Sequence, residues 1–412
     1  MQDSLIYDWN VADESGASAK PAGPLMLDDE TLRDGLQSPS VVDPPIEAKK
    51  RILHLMNELG IETADVGLPG AGPRAVADVE ALCREIVDSK LSITPNCAAR
   101  TMIQDIEPIA RISESTGLAI EACLFIGSSP IRQYAEGWDE DFLLQQSAEA
   151  IRFALEAGLP VMYVTEDTSR ARPETVRRLY GEAVRLGVGR VCVTDTVGHA
   201  TPEGTSRVVR FVRQVLDEAG GAEVGIDWHG HRDRGLGLAN CLAAYEAGAT
   251  RVHGCGLGVG ERSGNAAIDL LLVNMKLLGW IDRDLTALRE YCVAVGQALG
   301  RPIPTNYPVM GDDAFETATG VHAAAVIKAY HKGDAWLADR IYSAVPAGDF
   351  GAKQRVRIGP MSGRSNVIFW LQQNDIEPTD PRVDAIFEAA KQSDRLLKDS
   401  DIHRILAKVA AR

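Results

Sequence analysis

Residues 222–235 read AEVGIDWHGHRDRG: an apolar-leaning run, two histidines one residue apart, then charged residues and a glycine. The stretch leads into LANCLAAYEAG, which is helical in pattern. On a strand, side chains at i and i+2 share a face. His229 and His231 would therefore point the same way, close enough to hold one ion. Taken alone, H-x-H is as readily a polar strand end with solvated histidines. The stretch also has the form of a short β-type run that ends in polar residues and gives way to a helix, and that unit recurs.

From Pro24 to about Met275 the β-type runs are PLMLDD, ETADVG, LSITPN, AIEACLFIG, PVMYVTED, RVCVTD, EVGIDWH and TRVHGCGLG. Between them lie IEAKKRILHLMNELG, RAVADVEALCREIVDS, FLLQQSAEAIRFALEAG, PETVRRLYGEAVRLG and GTSRVVRFVRQVLDEAG. In these segments apolar residues recur every three or four positions, the spacing of one helix face. Strands alternating with helices pair in parallel through right-handed crossovers. Eight such units close a (β/α)₈ TIM barrel, with an open doubly wound sheet as the alternative. Polar residues gather at the C-terminal ends of many runs (DDETLRDG, TEDTSR, TDTVGH, HGH, GLGVGERSGN), as at a barrel mouth. The fold class expected is α/β, a TIM barrel with a mainly helical C-terminal appendage.

The chain has 412 residues, and such a barrel takes roughly 250. We expect an extension over 1–23, a catalytic barrel over 24–300 and helical subdomains over 301–412. The last region opens on a proline-broken connector, RPIPTNYPVMGDD. A helical stretch follows, then an irregular Gly/Pro-rich piece, then two more helical stretches. Its composition suggests little core of its own. Hydrophobic residues make up 45% and charged residues 25%, ordinary for a globular protein. The net charge of −15 disfavours nucleic acid as a partner but leaves small anions open, because local arginines can outvote the global sign. Seven scattered cysteines without a C-x-x-C pair fit a reducing compartment. No apolar run reaches membrane-span length and the start fits neither a signal nor a transit peptide, so a cytoplasmic protein with no membrane partner is expected.

Four segments, DETLRDGLQ (29–37), DTVGHATP (195–202), HGHRDRGLGLAN (229–240) and GLGVGERSGNA (256–266), resemble the signatures of the DRE-TIM metallolyases. Together with SGRSNV (362–367) they resemble its Claisen-condensing branch, the 2-isopropylmalate, homocitrate and citramalate synthases. The resemblance runs from about residue 24 to the C-terminus. It implies condensation of acetyl-CoA with a 2-oxo acid, then thioester hydrolysis to an alkylmalate and CoA. Asp34, His229, His231 and the amide oxygen of Asn265 form a mixed N/O set suited to Mg, Mn, Zn or Co. Arg33 is expected to stabilise charge growing on the keto oxygen. Glu166 and Thr196 match positions that contact the oxo acid or support catalysis. His322 matches a histidine taking part in deprotonation of the acetyl methyl group, and Tyr342 a tyrosine near the same site. Gln37, Asp65 and Ser129 complete the expected substrate contacts. The resemblance further implies a homodimer in which His322 serves the partner's barrel.

The departures concern substrate choice. Leu36 stands where the condensing synthases usually carry glutamate, as in 3-hydroxy-3-methylglutaryl-CoA lyases. Asp65 is a shortened carboxylate, Cys123 stands where isopropylmalate synthases commonly carry histidine, and Arg132 where another histidine often follows. ETATGVH around His322 lacks the usual flanking residues. The expected acceptor is 2-oxoisovalerate, with homocitrate or citramalate synthesis as the alternative. A carbon–carbon lyase and an inactive binding module are rivals from other classes. No counterpart of the family's leucine-sensing domain is expected, nor leucine inhibition by that route. His54, His253, His331 and His403 have no constellation in the sequence and read as structural or solvated.

Overall fold

The computed structural model describes residues 5–10, 21 and 23–411; much of the extension expected over 1–23 lies outside the described residues. By its internal contacts the chain divides into two compact units, Met1–Pro302 and Ile303–Arg412.

The first unit is a closed barrel of eight parallel strands in sequential order. The strands are β1 (Met26–Asp29), β2 (Thr63–Asp65), β3 (Thr94–Arg100), β4 (Glu121–Gly127), β5 (Val161–Glu166), β6 (Arg190–Asp195), β7 (Gly225–Gly230) and β8 (Arg251–Gly254). Closure comes from β1 pairing with β8, with Asp28 beside His253 and Asp29 beside Gly254. The outer ring holds α1 (Ile46–Glu58), α2 (Pro73–Asp88), α3 (Ile103–Thr116), α4 (Pro130–Glu136) and α5 (Glu140–Glu156). It continues through α6 (Pro173–Leu186), α7 (Pro202–Glu218), α8 (Gly237–Ala247), α9 (Ile268–Leu277) and α10 (Leu288–Ala298). β3 runs on to Arg100, past the expected end at Asn96, because Ala98 to Arg100 continue the ladder with β4.

The helices dock by the stripe the sequence spacing predicts. On α7, Thr205, Val209, Val212, Val215 and Leu216 are buried while Arg207 and Arg210 are exposed. Burying each of those aliphatic side chains contributes roughly 1.5–3 kcal/mol as an upper estimate. Thr201 caps this helix, its side chain accepting from Gly204 N. Inside the barrel, period-two alternation turns one set of side chains to the axis: Asp227 and His229 on β7, Met162, Val164 and Glu166 on β5, Cys192 and Thr194 on β6. No described helix is long and apolar enough to cross a membrane.

The second unit contains β9 (Glu316–Thr317), α11 (Gly320–His331), α12 (Ala335–Arg340), β10 (Arg355–Val356), α13 (Arg364–Gln373), α14 (Asp380–Gln392) and α15 (Asp399–Ala410). Three helices follow the irregular piece, where two were expected. β9 and β10 form a small parallel pair that the Gly/Pro-rich composition concealed. The unit also has the core the sequence reading denied it. Ile358, Val367, Trp370, Leu371, Val383, Ile386, Ala390, Leu397 and Ile402 bury one another. Ala323, Val326, Ile327, Val356 and Phe369 form a second cluster. α13 supplies Val367, Trp370 and Leu371, α14 supplies Val383, Ile386 and Ala390, and the rest come from other segments, a sum that no one helix displays.

Candidate active site

β7 ends in His229 and Gly230, and the chain runs straight on to His231, so the two imidazoles share the inner face. Their Nε2 atoms are 3.4 Å apart. Asp34, in the turn after β1, brings Oδ2 to 3.3 Å from His229 Nε2 and 3.6 Å from His231 Nε2. One atom from each of the three lies within 4.8 Å of the others, a group able to hold a metal ion. Asn265 joins through its backbone, which forms an antiparallel bridge with His231. The loop that delivers it depends on glycine. At Gly264 (φ +99°) a Cβ would lie 2.0 Å from Gly258 O, and at Gly260 (φ +146°) 2.3 Å from Asn265 Nδ2.

The donor set fits a cation. Among the described residues, the buried Asp34 Oδ1, Asn265 Oδ1 and His231 Nδ1 have no hydrogen-bond partner. Buried polar atoms are rarely left so, and two unpartnered acceptor oxygens, Asp34 Oδ1 and Asn265 Oδ1, on residues beside the histidine pair suit a positive ligand. The Asn265 amide is oriented by its Nδ2, which donates to Val259 O at 3.3 Å. Burial alone would lower His229, but Glu30 and Asp34 outweigh it and raise it to about 9. Burial and the neighbouring His229 lower His231 to about 4. Burial opposes ionisation of Asp34, yet Arg33 and His229 bring it down to about 2.

Arg33 lies among carboxylates. Its Nε donates to Asp65 Oδ2 at 2.7 Å, its Nη2 to Glu30, and its Nη1 is 3.7 Å from Asp34 Oδ2. Burial pushes Asp65 up to about 7 against the pull of Arg33. Burial likewise raises the Glu166 carboxyl, opposed in part by Arg132.

Arg33, Asp34, Gln37, Asp65, Glu166, Thr196, His229 and His231 line one cavity of about 170 Å³ at the C-terminal ends of the strands. Its apolar wall is Leu68, Ala98, Cys123, Phe125, Met162 and Val164. Thr196 Oγ1 accepts from Asp167 N at 2.8 Å. Ser129 is not among the lining residues. It caps α4, accepting from Arg132 N at 3.4 Å and donating to Asp167, which uses its hydroxyl for structure rather than substrate. His322 and Tyr342 belong to the second unit, where their rings stack at 4.4 Å on exposed positions.

Sequence reasoning missed Glu30, His253 and Glu261, which also line this cavity. His253 is neither solvated nor isolated. Its Nδ1 is 2.6 Å from Glu30 Oε1 and its Nε2 2.9 Å from Asp227 Oδ2. A signal was present: counting inward by two along β1 and β8 reaches Glu30 and His253.

A model of the HMGL-like family matches residues 25–293. The homocitrate synthase AksA of Methanopyrus kandleri is 31% identical over 393 residues, covering 93% of this chain and 92% of that protein. A probable 2-isopropylmalate synthase of the same organism is 31% identical over 372 residues, covering 88% and 68%. The (R)-citramalate synthase CimA of Methanocaldococcus jannaschii is 26% identical over 391 residues, covering 93% and 74%. A solved hydroxymethylglutaryl-CoA lyase from Pseudomonas aeruginosa superposes with a TM-score of 0.57 at 19% identity, covering 69% of this chain and 95% of that one, a likeness of fold.

Proposed function

Because this chain belongs to the HMGL-like family, we propose that it condenses acetyl-CoA with a 2-oxo acid and releases an alkylmalate and CoA. The observation that carries this reading is the group Asp34, His229 and His231 beside Arg33, with Asp34 Oδ1 and Asn265 Oδ1 unpartnered among the described residues. Asp34, His229, His231 and Asn265 would hold a divalent ion, Mg, Mn, Zn or Co. Such an ion supplies Lewis acidity toward the keto group of the acceptor.

The side chains divide the remaining work. Arg33 adds a fixed cation where negative charge grows on the keto oxygen, and a charge held in place needs no reorganisation during reaction. Glu166, whose carboxyl is raised by burial, is suited to hold or pass a proton at its Oε atoms. Gln37, Thr196 and Asp65 offer hydrogen bonds to the acceptor. His322, with Tyr342 beside it, takes part in deprotonating the acetyl methyl group, and the assembly is a homodimer in which it serves the partner's barrel.

The acceptor proposed is 2-oxoisovalerate. Leu68, Ala98, Cys123, Phe125, Met162 and Val164 suit a branched apolar side chain. A second carboxylate, as in 2-oxoglutarate, would meet Asp65, Glu166 and Glu261 in the same cavity. Arg33, the one arginine or lysine among the lining residues, is already paired with Glu30 and Asp65. Pyruvate, with only a methyl group to bury, is the second candidate.

The test is thiol release from acetyl-CoA with a panel of 2-oxo acids. Release should be fastest with 2-oxoisovalerate. Cleavage of 3-hydroxy-3-methylglutaryl-CoA without acetyl-CoA-dependent thiol release would replace the synthase reading with a lyase.

A further inference from the structure

Glu30 spends both carboxylate oxygens on the machinery around it. Oε1 lies 3.0 Å from His229 Nδ1 and 2.6 Å from His253 Nδ1, while Oε2 receives Arg33 Nη2. All four groups line the same cavity. Behind His253 the network closes: its Nε2 faces Asp227 Oδ2, and Asp227 is held by Arg190 and Arg251.

This closure dictates where hydrogens stand. A carboxylate oxygen faces each nitrogen of His253, and an imidazole satisfies two acceptors only by donating from both nitrogens. Glu30, with Arg33 on one oxygen and His253 on the other, is then an acceptor only. His229 must donate to it from Nδ1, and in the neutral imidazole the Nε2 lone pair is then directed to Asp34 and His231. Outer carboxylates that fix a ligating histidine in this way set both its tautomer and its orientation.

We propose that Glu30 is a positioning residue: its one carboxylate selects the His229 tautomer that offers Nε2 to an ion and anchors Arg33 beside the same site. The inference rests on the ion-binding reading given above. Glu30, His229 and His253 are themselves close enough to hold an ion. Yet Arg33 sits on Glu30 and both His253 nitrogens are engaged, so a second cation would face a guanidinium with no free ligand atom on His253. One ion per chain follows.

The experiment has two arms. In the first, Mn²⁺ binding to the parent protein and to Glu30→Gln is titrated by calorimetry, with circular dichroism on both. An amide oxygen cannot serve three donors, so affinity should fall about 10–100-fold with the fold intact. In the second, histidine-labelled parent protein loaded with Mg²⁺ is read by ¹⁵N NMR, which needs no variant; His229 should carry its proton on Nδ1. A parent that binds no ion removes the site reading itself and this role with it. A parent that binds one ion while Glu30→Gln binds it equally, or a His229 proton on Nε2, overturns only the role of Glu30. Two ions per chain would make the trio a second ion site instead.

Discussion

His229 Nε2 and His231 Nε2 face each other across 3.4 Å, with the same Asp34 oxygen 3.3 and 3.6 Å away. Two ring nitrogens and a carboxylate at such distances compete for protons or share a cation. Chelation should therefore abolish activity and Mn or Mg should restore it. His231→Ala should weaken ion binding by more than the ~10–100-fold typical of outer-sphere partners. Full activity of that variant in chelated buffer would remove the site.

Glu166 supplies a pH test. Burial raises its folded-state carboxyl above the unfolded value. Below the unfolded carboxylate range both states hold the proton and no penalty exists. As pH rises, the unfolded chain loses its proton first, so the folded state loses stability until the raised value is passed. Glu166→Gln should thus gain stability over the parent at pH 8 and show no such gain near pH 4, measured by urea midpoints. A gain that is equal at both pH values would contradict this.

Gly264 has a backbone that costs other residues about 1–3 kcal/mol, and its Cβ would lie 2.0 Å from a carbonyl oxygen. Gly264→Ala should lower the melting temperature and weaken ion binding together, because the same loop carries Asn265. Unchanged values for both would show that the loop tolerates the shift.

Met162 belongs to the apolar wall of the cavity, packed with Cys123 and Cys192. Met162→Ala should shift the kcat/KM ratio toward longer 2-oxo acids on the order of tenfold or more. A uniform loss across the panel would place the acceptor side chain elsewhere.

The proposed homodimer is tested by hybrids. His322→Ala and Asp34→Ala chains, each inactive alone, should regain part of the activity when co-expressed, since a mixed dimer contains one intact combination. Hybrids as inactive as their parents, or an active monomer by sedimentation, would refute the shared arrangement.

The β/α repeat, the polar strand ends and the H-x-H pair were all legible in the chain, because they are local: period two, period three to four, and turn residues between them. Eight repeats gave the closed barrel; inward alternation turned His229 and His231 to one face, and the turn after β1 brought Asp34 to them. What lay outside that reach is non-local. Glu30 meets His229 across 199 positions and His253 across 223, a contact created when β1 closes against β8. Ser129 shows the converse: its place near the strand end suggested a substrate contact, and the backbone of α4 claimed its hydroxyl. The second unit's core assembles from small apolar sets on separate elements, three residues each from α13 and α14 and single ones elsewhere. Residue spacing determines which way a side chain faces; which partner it finds there is decided only when distant strands are brought to register.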